Sequence, residues 1–145
     1  MIGDLEFCLR IGAAARFVAE NMDKVALEQG LSVGPASVLV AVATCPEQTQ
    51  VAYSSALVIN DATLTRYIDR LEDAQLLERR RGREDRRVVR LHMTPQGTAK
   101  AKALSSGFAQ LEAEFSASIG AEHFGRLSEE VRSLALALAN PGVQS

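Results

Sequence analysis

Apolar residues recur at helical spacing along most of the 145-residue chain, and one middle region alternates instead. Between residues 5 and 28 they step by three and four positions along one face, at Ile11, Ala15, Val18, Met22 and Val25. Gly30 is the expected stop signal. This spacing predicts an amphipathic first helix.

The next segment, about residues 34–44, is apolar almost all round, which predicts a buried central helix. Ser32 is placed to cap this helix, and Pro35 is tolerated in its first turn. Cys45 and Pro46 end it.

Two short helices are expected next, at about residues 50–57 and 61–74. Thr49 can cap the first, and Asn60 or Asp61 can cap the second. Only three residues separate them, which predicts a helix-turn-helix. The second helix turns Leu64, Ile68 and Leu71 towards the core and places polar residues on its other faces, namely Thr63, Thr65, Arg66, Asp69 and Arg70.

After residue 78 the pattern changes to period two, which is typical of a β-strand. Val89, Leu91 and Met93 share one side, whereas the other side carries Val88, Arg90 and His92. Gly82 is expected at the tip of a β-hairpin whose outward side chains are charged.

Helical spacing returns after Thr94, the expected cap, with Pro95 in the first turn and Gly120 as the break. A last helix is expected to end at residues 140–142. The two stripes are Leu104, Phe108, Leu111, Phe115 and Ile119, followed by Leu127, Val131, Leu134 and Leu138. Because the small middle region cannot cover them, we expect the chain ends to pack on each other and on a second copy.

The predicted fold is mainly α with a small β-hairpin wing: a winged helix-turn-helix with N- and C-terminal dimerisation helices. Residues 31–94 are expected to form the DNA-binding domain. Residues 1–30 and 95–145 are expected to form the helical dimerisation region.

Charge is concentrated in the predicted hairpin. The whole chain has a net charge of −2, but seven of its arginines lie within residues 79–90 with only Glu84 and Asp85. An arginine run is ordinarily a solvated surface. A basic hairpin directly after a helix-turn-helix instead favours DNA contact, because phosphate charge dominates DNA binding and arginine is favoured in a narrow minor groove.

Other classes of protein find little support in the sequence. The longest nearly apolar run, residues 33–45, is too short to span a bilayer, and no signal-peptide pattern opens the chain, so a cytoplasmic protein is expected. Cys8 and Cys45 are too few for a disulfide framework or zinc site, and neither a cofactor nor a metal is expected. No HExxH, phosphate-binding loop or GxSxG motif is present, so an enzyme is not expected.

Residues 48–97 resemble the core of the MarR (multiple antibiotic resistance regulator) family of regulators. The likeness is carried by a Thr-Gln helix start, a Thr-x-Thr-Arg recognition helix and the wing pattern Asp-x-Arg-x-x-x-Leu-x-Leu-Thr. Asp85, Arg87, Leu91, Met93 and Thr94 fit that wing without a gap. The flanking helices are similar to the family's dimerisation ends in length and pattern.

The resemblance implies a homodimeric transcription regulator, usually a repressor, on a pseudo-palindromic operator in double-stranded DNA. Family members are often released by small aromatic or anionic ligands or by thiol oxidation. It implies Arg87 in the minor groove, Asp85 orienting a neighbouring wing arginine through a charged hydrogen bond, and a helix reading the major groove. The implied DNA-binding set is Thr49, Asp61, Thr63, Thr65, Arg66, Arg70, Arg83, Asp85, Arg86 and Arg87.

Three features depart from the family pattern. Val58 stands where glycine is common, which predicts a looser turn. Asp61 and Ala62 replace basic or polar residues at the start of the recognition helix, and residues 52–56 lack the usual charges. Arg70 is equally compatible with a structural ion pair to Asp69 or Asp73.

Two alternative functions remain open. One is redox sensing through Cys8, whose only nearby cation, Arg10, is opposed by Glu6. The other is a degenerate winged helix that serves only protein contacts.

Overall fold

The computed structural model describes residues 3–139. Its elements are α1 (Gly3–Glu28), α2 (Val33–Thr44), α3 (Gln50–Leu57), α4 (Asp61–Asp73), β1 (Leu77–Arg81), β2 (Val89–Met93), α5 (Pro95–Ile119) and α6 (Ala121–Ala139). Every predicted helix and the predicted hairpin are confirmed. The expected stop at residues 140–142 lies outside the described residues.

Helix α2 is the centre of the fold, as its all-round apolar sequence predicts. It contacts α1, α3, α4, α5 and β2. Val38, Leu39 and Val42 are fully buried on it, and Leu64, Ile68 and Leu71 of α4 join the same core. Helix α4 is therefore fixed to the central helix by the two leucines and the isoleucine that the sequence pattern predicted to be buried.

The helix ends follow the predicted signals with one correction. Gly30 has a φ of 72°, and the Leu31 N–H closes the end of α1 onto the Ala26 carbonyl at 3.1 Å. Ser32 occupies the N-cap of α2, but its side chain makes no capping hydrogen bond. A carboxylate from α1 replaces it, since the Val33 N–H donates to Asp23 Oδ1 at 3.1 Å.

Three other caps act through their own side chains. Thr49 Oγ1 accepts from the Ala52 N–H, and Thr94 Oγ1 accepts from Gly97 N–H at 2.9 Å. Asn60, rather than Asp61, caps α4: its Oδ1 accepts from the Thr63 N–H at 2.8 Å. The alternative left open by the sequence is thereby resolved in favour of Asn60.

The α3–α4 turn is closed although it contains no glycine. Val58 adopts the left-handed conformation, with φ 55° and ψ 45°. The Ile59 N–H donates to the Ser54 carbonyl at 3.1 Å, which is the bond that ends a helix in this geometry. The looser turn that valine suggested is not observed. The β-branched side chain occupies a conformation that glycine adopts more easily.

Helices α1 and α5 pack on α2 and on each other. The rings of Phe17 and Phe115 lie 6.1 Å apart where α1 meets α5, and α6 packs on α5. Large apolar side chains of α1 and α6 nevertheless remain exposed, among them Phe7, Leu9, Leu127 and Val131. Within the described residues, no single helix has the length and apolarity to cross a membrane; only the bent pair Glu6–Glu28 and Val33–Thr44 meets both criteria jointly.

Candidate nucleic-acid interface

The first turns of α4 present a polar surface. Asp61 is the first helical residue and is exposed, and Arg66 and Arg70 are exposed further along. Thr63 and Thr65 are half-buried beside them. Arg66 Nη2 lies 3.5 Å from Thr63 Oγ1. The structure thus places all five predicted residues of this helix on its solvent side, away from the buried leucines.

Asp69, which was considered as an ion-pair partner of Arg70, pairs with Arg79 instead. Arg79 Nη2 donates to Asp69 Oδ1 at 2.8 Å, and Arg79 also pairs with Glu72. Its backbone N–H donates to Glu72 Oε1 at 2.9 Å. Arg79 therefore joins β1 to α4. Arg70 makes no ion pair within the described residues, so the structural ion pair to Asp69 or Asp73 that was considered for it is not formed.

The wing is a two-stranded antiparallel hairpin. Leu77 lies opposite Met93, Arg79 opposite Leu91, and Arg80 opposite Arg90. This register turns the leucines and methionine to the core and Arg80 and Arg90 to the outer face, as the alternation predicts. The strands are joined by residues 82–88.

The tip of the hairpin differs from the expectation. Gly82 opens the loop, its N–H donating to the Val88 carbonyl at 2.8 Å, and the tight turn is Asp85–Val88. Asp85 Oδ1 accepts from the backbone N–H of Arg87 at 2.9 Å. The carboxylate therefore shapes the backbone under Arg87, and the charged hydrogen bond to an arginine side chain that the resemblance implied is not present.

The seven arginines of residues 79–90 separate into two groups. Three have partners on this chain: Arg79 as above, Arg80 with Glu78, and Arg90, whose Nη1 donates to the Glu47 carbonyl at 2.5 Å. The side chains of the other four make no hydrogen bond or ion pair within the described residues, and all are exposed: Arg81, Arg83, Arg86 and Arg87. Their guanidinium groups are available to an outside anion.

The base of the wing is attached to the start of α3. Thr49 and Arg90 form an isolated β-bridge, and His92 Nδ1 lies 3.8 Å from Glu47 Oε1. Glu47 has a φ of 60°, an unusual conformation for a non-glycine residue. Thr49, predicted only as a cap and contact residue, therefore also fixes the wing relative to the helix-turn-helix.

Tyr53 holds the α2–α3 loop on its other side. Burial raises the pKa of this phenol, although the hydrogen bond from the Gln48 N–H opposes the shift. The protonated hydroxyl donates to the Cys45 carbonyl at 2.5 Å. The loop is thus bound by α3 and by the wing together.

Sequence reasoning missed three residues of this surface: Glu47, Arg90 and Gln50. Gln50 Nε2 donates to Thr65 Oγ1 at 2.6 Å and so joins α3 to the recognition helix. The Thr-Gln pair at the helix start was a signal, but which residue on α4 the amide reaches depends on how the two helices cross. No local pattern gives that.

Cys8, the proposed redox residue, is exposed on α1 and is not in a disulfide. Arg10 pairs with Glu6 one turn away. The single cation near Cys8 in the sequence is thus already neutralised by a carboxylate.

Comparisons with known proteins agree with this architecture. The family model described as MarR family matches residues 31–89. A Thauera aromatica protein proposed as transcriptional regulator of the hcr operon is 28% identical over 127 residues, covering 88% of this chain and 76% of its own.

Two solved structures of CouR share the fold. The repressor bound to a 23-mer DNA duplex is 22% identical, with a TM-score of 0.81 and coverage of 93% of this chain and 95% of that one. CouR from Rhodococcus jostii RHA1, bound to p-coumaroyl-CoA, is 18% identical, with a TM-score of 0.83 and coverage of 93% and 94%.

Proposed function

We propose that this chain is a DNA-binding transcription regulator of the MarR family, whose model matches residues 31–89, and that it acts in the cytoplasm as a homodimeric, ligand-responsive repressor. Its target is a pseudo-palindromic operator. The recognition helix α4 enters the major groove, and the wing reaches the adjacent minor groove.

One observation carries the proposal: Arg81, Arg83, Arg86 and Arg87 are exposed and unpaired within the described residues, and they lie on a wing fixed to the recognition helix. A solvated surface in an acidic chain would gain little from such a cluster. Phosphate contacts require positive charge only where the duplex touches. The acidic remainder limits binding elsewhere.

The dimer is supported by the apolar surface of the end helices. Phe7 and Leu9 of α1 are more than half exposed, and Leu127 and Val131 of α6 are also exposed. A second copy is the simplest cover for these helices. Two recognition helices would then reach successive major grooves, roughly 34 Å apart. Sedimentation as a monomer at micromolar concentration would contradict this assembly.

Effector control is supported by a pocket of about 470 Å³ between the α3–α4 turn and the end of α6. Val58 and Ile59 line one side and Leu136 the other. CouR, which shares this fold, has been solved with p-coumaroyl-CoA bound. A small ligand that binds between the helix-turn-helix and a dimerisation helix can shift the recognition helices only if it binds the two arrangements unequally.

The decisive experiment measures binding to the duplex upstream of the protein's own gene. Arg87→Ala is expected to weaken binding by about 1–3 kcal/mol and to leave the fold intact, because the side chain is exposed and has no partner in the described region. Arg126→Ala, which removes the same charge from α6, is the matched control and is expected to have little effect.

Salt dependence separates this function from a winged helix used for protein contacts. The logarithm of the wild-type binding constant should fall linearly with the logarithm of salt concentration, and Arg87→Ala should reduce that slope by about one. If Arg87→Ala and Arg126→Ala both bound the duplex as tightly as the wild type, Arg87 of the wing would not contact the DNA.

A further inference from the structure

Several threonine and serine hydroxyls on the helices of this protein donate to a backbone carbonyl of their own helix. Ser37, Thr44, Thr98 and Ser118 each donate to the carbonyl four residues earlier, at 2.8–3.1 Å. In that arrangement the hydroxyl proton is already used. These four positions lie outside the recognition helix.

Thr63 and Thr65 differ from that pattern. Thr65 Oγ1 accepts from Gln50 Nε2 at 2.6 Å, and Thr63 Oγ1 accepts from Arg66 Nη2 at 3.5 Å. Within the described residues neither hydroxyl donates a hydrogen bond. Each has therefore received a proton donor from this chain while keeping its own proton for another partner.

The hydrogen bond from Gln50 orients the hydroxyl group of Thr65. A hydroxyl has one proton and two lone pairs, and a donor placed on one lone pair leaves the proton to turn towards a different acceptor. A hydrogen bond received by an oxygen also polarises its O–H group and strengthens the bond that it donates. Gln50 and Thr65 are both half-buried, so little water competes for this contact.

We propose that Gln50 is a positioning residue for sequence reading, which sets the Thr65 hydroxyl as a hydrogen-bond donor to an acceptor atom of the operator. The inference rests on the DNA-binding function proposed above. Major-groove acceptors are purine N7, guanine O6 and thymine O4, and a phosphate oxygen offers the same chemistry. A hydroxyl without a partner can donate to these acceptors or accept from adenine and cytosine amino groups equally well. The Gln50 amide already occupies one lone pair of the Thr65 hydroxyl, which favours donation to the duplex.

The first test reverses the contact. Gln50→Glu places an acceptor where the amide donor stood. The carboxylate then accepts a hydrogen bond from the Thr65 hydroxyl, which can no longer donate to the duplex. Gln48→Glu is the matched control, because Gln48 lies two residues earlier and its amide bonds to the Pro46 carbonyl instead. Gln50→Glu is expected to weaken operator binding by about tenfold more than Gln48→Glu does. Equal losses would mean that charge alone acts, which would overturn the proposal.

The second test removes the contact without charge. Gln50→Met and Thr65→Val, measured in the full-length dimer, are each expected to weaken binding by about three- to tenfold, the usual range for one hydrogen bond. The double variant should lose no more than the larger single loss. Additive losses would show two independent effects and would overturn the proposal. Thr65→Ser retains the hydroxyl and should recover part of the affinity that Thr65→Val loses. The unfolding midpoint of each variant is compared with that of the wild type.

The third test finds the acceptor and excludes a merely structural role for Gln50. Operator duplexes lacking one acceptor at a time would be used: 7-deazapurines for N7, 2-aminopurine for O6, 5-methyl-2-pyrimidinone for O4 and methylphosphonates for phosphate. At one position the wild type should lose about three- to tenfold. Gln50→Met and Thr65→Val should lose nothing further there.

The outcomes separate the two proposals. A wild type that binds an operator, with variants that share its sensitivity at every substituted position, would overturn the role of Gln50 alone. A wild type that binds no duplex would overturn the proposed function and this inference together. If only a methylphosphonate weakens binding, the acceptor of the Thr65 proton is a phosphate oxygen. If a base analogue weakens binding, the acceptor is an atom of that base, and the hydroxyl reads the sequence directly.

Discussion

Replacing Val58 tests whether backbone strain is present in the helix-turn-helix. At φ 55° and ψ 45° an L-residue costs roughly 1–2 kcal/mol relative to the right-handed region. Glycine avoids this cost but loses about 0.5–1 kcal/mol more conformational entropy on folding. The difference favours Val58→Gly over Val58→Ala by about 0.5–1 kcal/mol. The packing lost from the partly exposed valine is largely common to both variants and cancels.

Ser55 provides the matched control, because it is exposed in the same helix with ordinary helical geometry. There Ser55→Ala should be more stable than Ser55→Gly by about 1 kcal/mol, the usual helix-interior difference. The sign of the alanine–glycine difference should therefore reverse between the two positions. The assay is denaturant unfolding at one fixed protomer concentration, since dimerisation contributes to apparent stability. Val58→Ala equal to or more stable than Val58→Gly would refute the strain argument.

Three further predictions concern the interface and its alternatives. Asp61→Asn should tighten operator binding by about 1 kcal/mol at low salt and by less at high salt, with little loss of stability because Asn60 supplies the cap. Weaker binding of that variant, measured by fluorescence anisotropy, would mean that the carboxylate itself contacts a base. Arg79→Met should destabilise the fold by about 1–2 kcal/mol, because it removes the ion pairs of Arg79 with two carboxylates of α4. Arg81→Met, the control, should cost less than about 0.5 kcal/mol. Equal unfolding midpoints of the two variants would show that the ion pairs of Arg79 do not stabilise the fold. Peroxide should leave operator binding unchanged, and release of the wild type but not of Cys8→Ser would establish the redox alternative.

The sequence by itself determined the order and the ends of the elements. Helical periodicity, period-two alternation and caps such as Thr49 and Thr94 depend on neighbours within a few residues, so they can be read directly. The buried face of α4 was also predicted correctly, because one amphipathic helix has only one apolar side to bury.

Contacts between elements required the tertiary structure. The sequence showed a basic hairpin, but which arginines are structural depends on which carboxylates lie across from each strand. Arg79 meets Asp69 and Glu72 only because β1 returns along α4, and Arg90 meets the Glu47 carbonyl only because the α2–α3 loop lies beside β2. These partners are separated by between 7 and 43 positions in the chain.

The same reason explains the cap of α2 and the contact of Gln50. Ser32 satisfied the local rule for a cap, yet the acceptor for the Val33 N–H is Asp23, ten residues before Val33 and on another helix. Gln50 reaches Thr65 across fifteen residues because α3 and α4 cross at that point. Local sequence fixes what each side chain can donate or accept, whereas the packing of helices and hairpin decides which partner lies within hydrogen-bond distance.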